Sequence, residues 1–227
     1  MRTEIVLQHG WGFDATSWSK WLPALSSKGR VILGERGYFG SRKLAPVFSE
    51  NAQRKIVIAH SYGVHLVPKE TMRQADTLIV IASFIDLQSN SRAIRSMLRK
   101  FDSAADLVLT DFWRNCYTPE CVGFSVLAPG SMNERALGDD LIALSSSALD
   151  VAAIEQIPNV VLIQPESDRI VPEDARLHLR GALPHASVIR ISGAGHAIHI
   201  TQTERCLQFV YSSITRNQQD TCQIQKS

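Results

Sequence analysis

The chain has 227 residues, 44% hydrophobic and 20% charged, which is enough apolar material for one globular domain with a full core. A formal net charge of +2, from 24 Lys and Arg against 22 Asp and Glu, gives no ground for capture of nucleic acid or a membrane surface by bulk charge. No apolar run approaches a membrane span, and the opening MRTEIVLQHGWG holds too few unbroken apolar positions for a signal-peptide core, so a cytoplasmic address is expected. In that compartment Cys116, Cys121, Cys206 and Cys222, which lack metal-type spacing, are expected to be thiols packed as small hydrophobes.

In chain order, unalternated Val, Ile and Leu runs predict strands covered on both faces at Glu4 to Gln8, Arg30 to Leu33, Lys55 to His60, Thr77 to Ala82 and Val160 to Gln164. A sixth run, Ser187 to Ile191, alternates more and reads as an edge strand. Helix-length segments lie between them at Thr16 to Ser27, Tyr62 to Gln74, Glu173 to Leu183 and Thr201 to Thr215. Pro68 falls inside the second of these and predicts a kink or an early break. This alternation predicts an α/β fold with a mostly parallel sheet of about six strands flanked by helices. From Ile85 to Ile157 the rhythm stops, and helical patterning without a strand predicts an inserted cap. Residues 1–84 and 158–216 are therefore read as the core, 85–157 as the helical cap, and 217–227 as a polar tail that frays.

The third run ends abruptly in IVIAHSYGV, which places Ser61 where a strand hands over to a helix. A nucleophile on such a bend needs small residues two before and two after it, here Ala59 and Gly63. The pattern is A-H-S-Y-G, and the alanine weakens the match without forbidding the turn. A serine hydroxyl needs a histidine to take its proton and a carboxylate to orient that histidine, both on loops after later strands. His196 in ISGAGHAIHI and Asp168 in QPESDRIVP meet that order, with Glu166 as an alternative acid after the same strand. His199 follows three residues after His196, but no third ligand accompanies the pair, so a zinc site is not expected. No metal or organic cofactor is called for. Acyl transfer also needs amide donors for the developing oxyanion, and QHGWG after the first strand offers the amide of Trp11 beside that of Tyr62.

With HGWG, AHSYG, SDRIVP and GAGHAIHI in order, the chain resembles the α/β-hydrolase family over nearly its whole length. The resemblance implies a compact member without the family's first two strands. Ile170-Val171-Pro172 after Asp168 matches the family pattern and favours Asp168 over Glu166. HGWGFDATSW and HAIHITQTE are similar to segments of the pimeloyl-acyl carrier protein methyl ester esterases of biotin synthesis. That likeness implies an acyl ester substrate on acyl carrier protein, cleaved to methanol and a free carboxylate. Arg92, Arg95 and Arg99 recur at helical spacing and offer such an acidic carrier a docking strip, although Asp102, Asp106 and Asp111 offset the field. Trp11 and His60 are read as pocket residues, with His60 alternatively packing beneath it. Phe84, Phe112, Trp113 and Phe124 are read as an acyl tunnel or as ordinary core. Two rivals stand beside this reading: a general short-chain carboxylesterase, thioesterase or lactonase, and a protein of the same fold that binds ligand without turnover.

Overall fold

The computed structural model describes residues 2–87, 91–120 and 132–224. Strands β1 (Thr3–Gln8), β2 (Arg30–Gly34), β3 (Arg54–His60), β4 (Thr77–Ile81), β5 (Asn159–Pro165) and β6 (Ser187–Ile191) form one sheet in the order β2-β1-β3-β4-β5-β6. Every neighbouring pair is parallel. The order reverses between β1 and β3, and the crevice beyond the strand ends at such a reversal is where open parallel sheets bind ligands. Gln8 pairs in register with Ala59, so the loops leaving β1 and β3 emerge side by side.

Both faces of the central strands are buried, which is why their sequences do not alternate. One face sets Ile5, Leu7, Ile56, Ile58, Ile79 and Ile81 against Trp18, Trp21, Leu25 and Val210. The other sets Val6, Val57, Leu78 and Val80 against Val64, Met72, Ile154 and Leu179. The edge strand β6 leaves Ser187, Val188 and Arg190 exposed, in line with its more alternating sequence.

Several helices depart from the sequence expectation for local reasons. The segment Thr16 to Ser27 divides into a 3-10 turn at Ala15–Trp18, capped by Asp14, and α1 (Leu22–Ser26). Pro23 explains the division, since a prolyl ring deep in a helix collides with the carbonyl four residues earlier. The segment after Ser61 becomes α2 (Gly63–Leu66) and α3 (Lys69–Arg73), broken at Val67, whose ψ of 130° is the extended setting that a following proline imposes. Next come α4 (Ser91–Tyr117), bent at Ala104, then α5 (Glu134–Leu144) and α6 (Val151–Glu155). The described residues between β4 and β5 contain no strand beyond an isolated bridge from Met132 to Phe39. Helix α7 (Glu173–Ala182) stands close to its expected bounds. After α8 (Ile198–Thr201), helix α9 (Thr203–Ile224) runs on through most of the expected polar tail. No Gly or Pro interrupts residues 216–224, so nothing in the sequence stops the helix where its apolar period ends. No helix of the described residues is long and apolar enough to cross a membrane.

Helices α4 and α5 close over the strand ends, with Phe101, Leu109, Phe112, Leu137 and Leu141 in one cluster with Trp11 and Phe84. A buried carboxylate ties this cover to the sheet. Asp140 on α5 accepts from Arg36 Nε at 2.8 Å and Nη2 at 2.5 Å, and from the Tyr38 hydroxyl at 2.5 Å. Burial pushes the Tyr38 hydroxyl pKa upward and the Asp140 charge adds to the effect, so the phenol stays protonated and donating. Asp140→Ala would strand the Arg36 guanidinium and the Tyr38 hydroxyl together. It is expected to cost about 3 kcal/mol of stability, read as a lowered urea midpoint at unchanged slope. A loss below about 1 kcal/mol, the scale of a surface pair, would contradict this account.

Candidate active site

Strand β3 ends at His60, and Ser61 then adopts φ 55°, a left-handed conformation that few residues other than glycine enter. The bend is held from the next strand: the Ser61 amide donates to Ile81 O at 2.8 Å, and Ser83 Oγ donates to Ser61 O at 2.8 Å. Gly63 lets α2 lie against the end of β1. A Cβ at Gly63 would stand 2.6 Å from both Gln8 O and His9 O. A Cβ at Gly10 would likewise stand 2.9 Å from Ser61 Cβ. Ala59 is tolerated because its methyl enters the core beside Val6 and Val57 rather than the bend.

His196, on the loop after β6, places Nε2 at 2.9 Å from Ser61 Oγ. Its Nδ1 lies 2.9 Å from Asp168 Oδ2, and both side chains are fully buried. An ionised carboxylate only accepts, so Nδ1 carries the proton and Nε2 is left to accept from the serine hydroxyl. The other Asp168 oxygen accepts the amides of Ile170 at 2.8 Å and Val171 at 2.9 Å, which fixes the carboxylate plane. Glu166, the alternative acid, instead pairs with Arg190 at 3.1 Å near the surface.

Three tethers hold the histidine loop. Gly195 N donates to Glu120 at 3.1 Å, Ala197 N donates to Cys116 O at 2.9 Å, and His60 Nε2 donates to His196 O at 3.0 Å. His60 is therefore beneath the site rather than in a pocket wall, the second of its two expected placements. Its ring stacks on His199 at 3.8 Å between centroids, which also removes His199 from the position of a base. Burial pushes the pKa of both rings well down, and the neighbouring imidazoles reinforce it, so both are neutral. Cys116 is buried, and burial with the nearby Asp168 charge pushes its thiol pKa up, which keeps it protonated and inert. Cys206 is buried as expected, while Cys121 and the Cys222 side chain lie outside the described residues. Among the described residues no group of three or more His, Cys, Asp or Glu is placed to hold a metal ion.

Ser61 opens into a cavity of about 370 Å³. Trp11, Phe84 and Phe112 are in its lining, and the Trp11 indole is locked by donating to Leu137 O at 2.9 Å. Trp113 does not line it. Its indole donates to Gly12 O at 2.7 Å and faces a separate depression beside Phe13. Phe124 lies outside the described residues. Sequence reasoning missed Ile94, Met97, Leu141, Leu144 and Ile170 in the wall. The only signal for Ile94, Met97, Leu141 and Leu144 was the apolar face of α4 or α5, which looks the same whether it meets a core or a cavity, while Ile170 stands on the loop after β5 and enters the sequence reading only as a flank of Asp168. Among the described residues, no protein group accepts from the main-chain amides of Trp11 or Tyr62. Arg92, Arg95 and Arg99 are exposed on α4.

A model of the alpha/beta hydrolase family matches residues 5–209. The chain belongs to the alpha/beta hydrolase family. Among curated proteins, the biotin biosynthesis bifunctional protein BioHC of Cellvibrio japonicus (strain Ueda107) is 26% identical over 238 residues, taking in 92% of this chain and 47% of that protein. The chain thus spans about half the length of that relative. Among solved structures, a bromoperoxidase from Bacillus anthracis superimposes with a TM-score of 0.74 at 17% identity, over 95% of this chain and 92% of that one. A thermophilic esterase from Thermogutta terrifontis, with malate bound, gives 0.73 at 14% identity, over 94% and 90%. At these identities both show the fold alone, while the family supports a hydrolase.

The buried imidazoles make stability depend on pH. His65 lies 2.7 Å from Ser147 Oγ and 3.3 Å from Phe84 O, and burial pulls its pKa down to about 4. The unfolded chain takes up this proton near pH 6.5, whereas the folded chain resists until about pH 4. Stability is therefore complete above about pH 6.5 and is lost as pH falls toward 4. Urea unfolding across that window should show a shallower decline in His65→Gln than in the parent protein. An identical slope in both would contradict the assignment.

Proposed function

We propose that the protein is a serine carboxylesterase. The observation that carries this reading is the chain of two 2.9 Å contacts from Asp168 through His196 to Ser61, set at the floor of an apolar cavity. Ser61 Oγ attacks the ester carbonyl while His196 Nε2 takes its proton. Asp168 holds the imidazole tautomer and stabilises the imidazolium that forms. The amides of Trp11 and Tyr62, which have no other acceptor among the described residues, point the way for the oxyanion's negative charge. His196 then returns its proton to the departing alkoxide, and a water deprotonated by the same nitrogen cleaves the acyl-enzyme.

For substrate, the reading favours the methyl ester of a pimeloyl chain carried by acyl carrier protein, which yields methanol and a free carboxylate in biotin precursor synthesis. Support comes from the similarity to a biotin biosynthesis protein and from the mostly apolar lining of the cavity. Residues 85–157 act as the cap that sets acyl selectivity, through α4 and α5 over the cavity. Arg92, Arg95 and Arg99, exposed on one side of α4, serve as the docking strip for the acidic carrier.

A serine-directed fluorophosphonate should label Ser61, and Ser61→Ala should lower turnover by about a million-fold. Full activity in that variant would end the proposal. Faster cleavage of short aryl esters than of pimeloyl methyl esters would keep the chemistry and discard the substrate. Changing the three arginines to glutamate should slow cleavage of the carrier-bound ester while sparing a small soluble ester, as the two rates measured side by side would reveal. Equal loss on both would remove the docking role.

A further inference from the structure

The Ser61 cavity is apolar along most of its wall, with Trp11, Phe84, Ile94, Phe112, Leu141 and Leu144 among its lining. Its charged lining consists of three side chains: Lys100 and Asp111 from α4, and Arg169 from the loop after β5. Asp111 is already committed, because Arg114 donates to it at 2.5 Å. Lys100 and Arg169 form no ion pair and donate no side-chain hydrogen bond among the described residues. Residues 88–91 and 121–131, which adjoin this helical cover in sequence, hold no Asp or Glu that would neutralise them. Two exposed cations thus line the cavity, one from α4 and one from the loop after β5, and neither is paired with a carboxylate among the described residues.

We propose that Lys100 and Arg169 form an anion-reading rim, so that the cavity selects esters whose apolar acyl chain carries a carboxylate or phosphate at the end remote from the cleaved bond. This deepens the esterase reading and rests on it. The apolar wall takes the methylene chain and excludes water from it. Lys100 supplies a mobile point charge, and Arg169 a planar fork that matches the paired oxygens of either anion. Neither residue belongs to the Arg92, Arg95 and Arg99 strip, none of which lines the cavity, so reading the anion and docking a carrier are separable properties.

The test uses the full chain and three methyl esters of one seven-carbon acyl chain, ending in a free carboxylate, a phosphate monoester or an uncharged amide. At low salt the parent protein should show KM about tenfold lower for the better anionic ester than for the amide, and added salt should erode the difference. Whether the carboxylate or the phosphate is preferred identifies the natural source of the charge. In Lys100→Gln/Arg169→Gln the ratio of anionic to amide KM should approach one. Because the ratio is internal to each protein, a poorly folded variant lowers all rates together and leaves it readable. Equal KM values in the parent protein, or a ratio kept by the double variant, would overturn the rim and leave the esterase standing. Turnover of none of the three, by a protein that also escapes fluorophosphonate labelling, would overturn both.

Discussion

A serine at φ 55° is a strained arrangement, on the order of 1–2 kcal/mol above the ordinary right-handed region for a residue with a Cβ. The surrounding structure leaves it no alternative. Its amide is bonded to β4 and its carbonyl to Ser83, so both ends of the residue are pinned by that strand and the loop that leaves it. Gly63 allows the following helix to lie against the carbonyls that end β1, and Gly10 allows the β1 loop to pass beside the serine. The same close approach therefore packs the loop after β1 and the start of α2 directly beside Ser61.

The histidine reaches that serine by a different physical route. It rides on a loop with little regular structure of its own, and its position is set by bonds to other parts of the chain. Beneath it, His60 and His199 form a neutral, desolvated layer edged by Phe13. A charged layer there would disfavour the imidazolium that the proposed proton transfer creates. Burial thus does electrostatic as well as packing service, because it keeps positive charge away from the one ring expected to acquire it.

Much of this was legible in the linear chain, and the reasons are specific. Strands with both faces covered read as continuous Val and Ile runs, which located β1, β3, β4 and β5, whereas β2, expected to be covered on both faces, is an edge strand with Arg30 exposed and Val31, Ile32 and Leu33 half-buried, and β6 was located by its alternation. Ser61, Asp168 and His196 could be singled out because each follows a strand in a parallel sheet, and strand ends share one side of the molecule. The choice between Glu166 and Asp168 rested on flanking residues, and the amides of Ile170 and Val171 supply its physical content. Proline effects were legible at Pro68 but overlooked at Pro23. The placement of His60 and Trp113 was not legible, since an aromatic beside a nucleophile gives no sign of which way its ring turns. Nor was the bond from Arg36 to Asp140, whose partners stand 104 residues apart with nothing local to announce them.

The tether from Cys116 O to Ala197 N, with that from Glu120 to Gly195, joins the far end of the long helical arm to the segment bearing the imidazole. An arm anchored this way cannot swing as a free flap without drawing His196 away from Ser61. Under the proposed function, substrates are then admitted by small adjustments of side chains at the mouth, and new preferences arise by exchanging those side chains one at a time. Replacing the whole arm would remove the tethers that hold the His196 loop in place.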